Sequence, residues 1–291
     1  MGDGAALWLR RAVAAPDRPD YGRARQKKGE TRMYKPFDLS GKVALVTGGN
    51  GGIGFGMAEA LAAAGADVVI WGTKDEKNKE AAARLKSHGK RVSTARVNVA
   101  SEAEVVDAMG QAVKEMGRVD CVIANAGIGG GAPSFSEMSI ETWRRVHAVN
   151  EEGAFFTLRE AAKYMVARAG KGDAGGSLVG VASLAGLEGA GRNEAYSATK
   201  GAVLAMMRSI AVEHARYGIR ANSIAPGWIA TDMTERSQNN KTFQEKVIVR
   251  VPMRRWGKPE DFGGIAVYLA SDASKYHTGD TFVIDGGYLV F

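Results

Sequence analysis

Short apolar runs alternate with amphipathic stretches from about residue 37 to the end of the chain. The runs at 43–47, 68–71, 119–124, 177–182, 219–224 and 281–284 are only four to six residues long, which predicts buried β-strands. Residues 91–99 alternate polar and apolar and predict one more strand. Helices are expected between them. Residues 57–64 are Ala-rich, with Gly65 placed to stop the helix, and 76–87 form a charged amphipathic stretch. Ser101-Glu102-Ala103-Glu104 has capping-box spacing and predicts a helix that ends near Gly117. Longer helices are expected over 140–167 and 195–217, and a further one after Pro259-Glu260-Asp261. Short strands between helices predict an α/β fold, a doubly wound parallel sheet covered on both faces. No Pro/Ser-rich linker divides residues 37–291, so they read as one domain, with residues 1–36 as an N-terminal extension.

The first strand runs into the stretch TGGNGGIG at residues 47–54. Glycine packs nothing and loses much backbone entropy on folding, so so many of them need a reason. A strand–glycine loop–helix unit suits a dinucleotide turn. Gly48 would allow the tight turn, Gly52 would let the backbone approach a pyrophosphate, and Gly54 would let the helix lie close against the strand. The helix N-terminus then offers free N–H groups and a positive dipole end to phosphates.

Charge narrows the function classes. The formal net charge is +7, but residues 1–36 hold nine Lys/Arg against four Asp/Glu, so the remaining body is nearly balanced. A general nucleic-acid surface is therefore not expected. The acids and prolines of the head weaken an organelle presequence or a membrane-binding segment as readings. A dispensable extension upstream of a start at Met33 is the preferred one. No apolar stretch is long enough to span a membrane. The single cysteine, Cys121, excludes an internal disulfide, reads as a buried thiol and fits a cytoplasmic setting. No metal ligand set is assigned.

About 145 residues beyond the glycine loop stands YSATK, with Tyr196 and Lys200 four apart at the start of a helix. That spacing puts both side chains on one face. An ammonium close to a phenol is expected to lower its pKa and make it usable for proton transfer.

These motifs in this order resemble the short-chain dehydrogenase/reductase family over residues 38–291. The family's Thr-Gly-x3-Gly-Ile-Gly loop is matched by Thr47, Gly48, Gly52, Ile53 and Gly54, and its Asn-Ala-Gly motif by Asn125-Ala126-Gly127. Its asparagine and serine are matched by Asn150 and Ser183, and its Pro-Gly by Pro226-Gly227, followed by Ile229 and Thr231. The resemblance implies a Rossmann-type fold and an NAD(P)-dependent oxidoreductase. Tyr196 is then the general acid/base and Ser183 a hydrogen-bond donor to the substrate oxygen. Lys200 holds the nicotinamide ribose, and Asn150 holds a relay water. Asn50, Asn98, Val99 and Asn125 to Gly127 are expected to line the cofactor site, and His147 is read as structural. An acid at the end of the second strand marks NAD-preferring relatives. Gly72 stands there, followed by Thr73 and Lys74, so NADP is the preferred cofactor, with NAD the alternative.

Glu188, Arg192, Asn193 and a polar lid that includes Thr234 to Asn239 favour a small polar or sugar-like ketone/alcohol. A 3-oxoacyl thioester is the runner-up substrate. A non-catalytic dinucleotide sensor on the same fold has no use for the intact Tyr196 set. The apolar chain end, Tyr288 to Phe291, and the family's habit predict a homotetramer with that end packed on another subunit.

Overall fold

The computed structural model describes residues 34–291, and the expected extension lies, up to residue 33, outside the described residues. Seven parallel strands form one sheet in the order β3-β2-β1-β4-β5-β6-β7. They are β1 Val43–Thr47, β2 Asp67–Gly72, β3 Val92–Arg96, β4 Cys121–Ala124, β5 Gly176–Val181, β6 Ile219–Pro226 and β7 Thr281–Ile284. The main helices are α1 Gly52–Ala63, α2 Asp75–Lys86, α3 Glu102–Met116, α4 Ile140–His147, α5 Gly153–Ala169 and α6 Glu194–His214. Two short helices, α7 Glu235–Gln238 and α8 Lys241–Lys246, follow β6, and α9 Gly263–Ala270 precedes β7.

The chain enters the sheet at β1, runs out to β3 and returns to place β4 on the other side of β1. That reversal opens a crevice at the carboxyl ends of β1 and β4, where doubly wound folds bind ligands. Both faces of the sheet are covered. Val43 and Leu45 of β1 pack into one apolar layer with Leu158 and Val203, while Ala44 and Val46 pack into the other with Leu61 and Phe262. A strand buried on both faces has no polar side to show, hence the unbroken apolar run.

Four local expectations change. The first helix begins at Gly52, inside the glycine loop, rather than at residue 57. The third strand covers only Val92–Arg96. The capping box is half formed. Ser101 Oγ accepts from the Glu104 N–H, but the Glu104 carboxylate accepts from the Asn98 N–H at 2.8 Å rather than from Ser101. The long helix expected over 140–167 is interrupted by a π-helical turn at Ala148–Glu152. Such turns often mark functional positions, and Asn150 lies in this one. Among the described residues no helix is long and apolar enough to cross a membrane.

Candidate active site

The glycine loop is built for close approach. Gly48 has φ +64° and Gly52 φ +51°, a left-handed backbone that side chains disfavour. A Cβ on Gly54 would come 2.3 Å from Gly48 O and 2.4 Å from Asn125 Nδ2. The close packing of Gly54 is thus against its own loop and Asn125, not against the strand. Phe55 N–H is the first in α1 to reach an intrahelical acceptor, Gly51 O at 3.0 Å. The N–H groups of Gly52, Ile53 and Gly54 have no acceptor among the described residues, and no side chain caps the helix. Three free donors at a positive helix end suit a pyrophosphate, so the loop fits a dinucleotide.

Two side chains brace this loop to β4. Thr47 Oγ1 accepts from the N–H groups of Asn125 and Ala126 at 3.0 and 2.9 Å. Asn125 Nδ2 donates to Thr47 O at 2.9 Å. Val99 borders the start of α5, where a Cβ on Gly153 would come 2.7 Å from its side chain. Asn98 Oδ1 accepts from Ala100 N–H at 3.2 Å, so its carbonyl oxygen already serves a local turn. Thr73 and Lys74 are both exposed beyond β2.

Tyr196 and Lys200 stand on successive turns of α6, and Ser183 follows β5 in extended conformation. Lys200 is buried and donates to Val181 O at 2.8 Å, two residues before Ser183. Gly186 closes the gap between the Ser183 loop and α6, for a Cβ there would come 2.7 Å from the Lys200 carbonyl carbon. Asn150 is buried, and its amide clasps the main chain of Ile128. Its Oδ1 accepts from Ile128 N–H at 2.8 Å and its Nδ2 donates to Ile128 O at 3.0 Å. The same Nδ2 lies 3.3 Å from Thr199 Oγ1, which donates to Tyr196 O at 2.8 Å. A Cβ on Gly127 would come 3.3 Å from Asn150 Oδ1 and 3.4 Å from Lys200 Nζ. The structure therefore brings Gly127, Asn150 and Lys200 together, with Tyr196 and Ser183 beside them.

The phenol is shifted opposite to the expected direction. Burial pushes Tyr196 up, and only the neighbouring Ser183 hydroxyl pulls it down. Burial also pushes the Lys200 ammonium down, to about 8. Lys200 Nζ sits 5.5 Å from the Tyr196 ring centroid, with its hydrogen bond aimed at Val181. A helical spacing of four brings two side chains to one face, but it cannot say how dry that face is.

On the other wall, Pro226 ends β6 and Gly227 N–H donates to Ile284 O at 3.0 Å. Ile229 is buried and bridges Gly257. Thr231 lies beside the glycine loop, where a Cβ on Gly52 would come 3.3 Å from its Cγ2. The lid beyond it uses much of its own polarity. Thr234 Oγ1 donates to Ile229 O, and Gln238 Nε2 donates to Thr231 O at 2.9 Å. Glu235, Arg236 and Asn239 are exposed. Apolar lid residues turn inward: Trp228 meets Phe243 edge-on at 4.8 Å, and Tyr288 is buried in the same cluster. Of the apolar chain end, Tyr288 thus packs within its own chain, while Val290 and Phe291 stay exposed. His147 stacks on Trp143 at 4.4 Å and pairs with Glu151 at 2.6 Å.

Thr199 and Asn78 are the polar residues that motif reading passed over. Thr199 sits inside YSATK, where it reads as filler. Asn78 stands in a charged helix, yet it is buried and donates to Gly72 O and Ala95 O at 3.1 and 3.2 Å.

A doubly wound parallel sheet with a phosphate-ready glycine loop, a half-buried Tyr196 and a buried Lys200 at its carboxyl edge is the architecture of a dinucleotide-dependent oxidoreductase. The family model described as Enoyl-(Acyl carrier protein) reductase matches residues 48–289. A sorbose reductase of Schizosaccharomyces pombe is 38% identical over 88% of this chain and 99% of its own length. A 2-dehydro-3-deoxy-D-gluconate 5-dehydrogenase of Dickeya dadantii is 36% identical, over 88% of this chain and 99% of its own. The crystal structure of a gluconate 5-dehydrogenase from Burkholderia cenocepacia, in complex with NADP and tartrate, superposes with a TM-score of 0.83. It is 33% identical and covers 88% of this chain and 98% of that one. The chain belongs to the short-chain dehydrogenase/reductase family. It is an NAD(P)-dependent oxidoreductase.

Proposed function

We propose that the enzyme interconverts a ketone and a secondary alcohol on a small, sugar-like polyol or sugar acid, with NADP as the preferred cofactor. The convergence of Ser183, Tyr196, Lys200 and Asn150 at the carboxyl edge of the sheet carries the reading. A bound nicotinamide dinucleotide supplies the hydride in reduction and takes it in oxidation. In reduction Tyr196 gives its phenolic proton to the carbonyl oxygen. Burial raises the phenol's pKa, which keeps the proton on Tyr196 but makes it a weaker acid than a free phenol. Ser183 Oγ–H faces the same oxygen, where negative charge develops. Lys200, joined to Val181 O, has donors left for ribose hydroxyls. Asn150 holds the loop after Gly127 in place, and its side-chain amide is taken up by Ile128 and Thr199 rather than left for the relay water expected of it.

The free N–H groups of α1 would hold the pyrophosphate. Neutral Gly72 and exposed Lys74 leave a 2′-phosphate unopposed. The substrate class rests on relatives named for sorbose, gluconate and 2-dehydro-3-deoxy-D-gluconate. The lid supports it less than its composition suggested, because Thr234 and Gln238 serve its own fold. A cytoplasmic homotetramer completes the proposal.

The test is a panel of sugar ketones, sugar acids and 3-oxoacyl thioesters with both dinucleotides, run beside Tyr196→Phe. We expect turnover on a sugar-type substrate, better kcat/KM with NADP, and a loss of at least about 10²-fold in the variant. Near-normal turnover in Tyr196→Phe, or activity confined to acyl thioesters, refutes the proposal.

A further inference from the structure

Gly72 closes β2 with an ordinary φ, so its glycine is not required by the backbone. It is required by space. A Cβ at this position would come 2.1 Å from Asn50 Nδ2 and 2.5 Å from Asn78 Oδ1. The side chain of Asn50, from the glycine loop, thus occupies the volume into which a residue at 72 would project. Asn50 and Asn78 are joined, Nδ2 to Oδ1, at 2.7 Å.

The direction of that bond follows from the strands. Gly72 O and Ala95 O can only accept, and both face the Asn78 amide, which must turn its Nδ2 to them. Asn78 Oδ1 is then left for Asn50, which must answer with Nδ2. Asn50 is half-buried, and its own Oδ1 receives no donor among the described residues. The amide is therefore fixed with one oriented, uncharged acceptor free, beside the end of β2 and next to the phosphate-ready helix end.

We infer that Asn50, held by Asn78, reads the adenosine ribose in this enzyme, as a neutral acceptor standing where a side chain at 72 would lie. Its Oδ1 takes a ribose hydroxyl, present in both dinucleotides, without the charge that repels a 2′-phosphate. Asn78 is a positioning residue that acts through Asn50. An acid placed at 72 would collide with this pair instead of joining the site. The inference rests on the dinucleotide reading of the glycine loop.

The test measures dissociation constants of NADPH and NADH by nicotinamide fluorescence, so it needs no substrate. Asn50→Asp adds charge and removes the donor to Asn78 Oδ1, so the carboxylate must turn away from Asn78 and toward the open site. We expect NADPH to lose at least about tenfold relative to NADH, as two like charges at close range require. Asn50→Ala and Asn78→Ala should each weaken both dinucleotides by about 3- to 10-fold, the scale of one hydrogen bond. The double variant should be no weaker than either single one, because both remove the same contact. An unchanged NADPH:NADH ratio in Asn50→Asp overturns the inference while leaving wild-type binding, and so the cofactor reading, intact. Wild-type chain that binds neither dinucleotide overturns both. Multiplying effects in the double variant, or an Asn78→Ala chain that does not fold, make Asn78 a structural residue and overturn its positioning role.

Discussion

The side-chain amide of Asn150 grips the peptide of Ile128 at both ends, taking its N–H at 2.8 Å and giving a hydrogen to its carbonyl at 3.0 Å. The loop that leaves β4 is thereby fixed to the π-turn between α4 and α5. Asn150→Ala would strand both groups of Ile128 in a part-buried setting. Stability should fall by about 2 kcal/mol, the scale of unsatisfied buried groups. Turnover should fall by at least about tenfold as the loop loosens. Urea unfolding and steady-state kinetics check it, and an unchanged unfolding midpoint would contradict the clasp.

Gly54→Ala adds a methyl 2.3 Å from the carbonyl oxygen of Gly48. Neither group is a flexible side chain that can swing away. The loop must shift, and the helix end moves off its phosphate position. NADPH affinity should drop at least about tenfold, with a stability loss of about 1–3 kcal/mol typical of overpacking. Fluorescence titration decides it, and wild-type affinity would show the close approach to be unimportant.

The buried lysine makes stability depend on pH. Lys200 is pushed from its ordinary 10.5 down to about 8, so the unfolded chain binds one more proton between those values. Stability then rises as pH rises through that window. Below it the folded chain carries a buried ammonium, a penalty of up to about 3 kcal/mol for such a shift. Lys200→Met removes the group. We expect the variant to be more stable at about pH 7 and to lose the rise toward about pH 9.5 that the wild type gains from this group. Chemical denaturation at both pH values measures it. Parallel curves for the two proteins would contradict the shift.

A chain that begins at Met33 should keep the assembly state of the full chain and its ketone reduction, since every site residue lies beyond it. Light scattering with an activity assay is the measurement. A smaller assembly than the full chain's, or loss of activity, would make residues 1–32 part of the working enzyme.

What the sequence could reveal followed the range of the interactions. TGGNGGIG and YSATK are local, because a left-handed turn and one helical turn need few neighbours. The sheet was legible for the same reason, as each strand's burial on both faces leaves an apolar run. The phenol's upward shift was not legible, because dryness is set by segments far apart in the chain. Asn78 looked like one more polar residue in a charged helix until β2 and β3 supplied its two carbonyls. The lid misled in the opposite way. Thr234 and Gln238 read as pocket chemistry, and their hydrogen bonds go to the lid backbone.

Thr47 Oγ1 holds the N–H groups of Asn125 and Ala126, partners 78 and 79 residues away. The ribosome must therefore deliver β4 before the glycine loop acquires its brace. Ser183, Tyr196 and the lid emerge later still. Contacts of such long sequence separation are closed late and slowly in folding. A dinucleotide can therefore protect only chains whose two halves have already met, and it favours the folded state by mass action from that moment on.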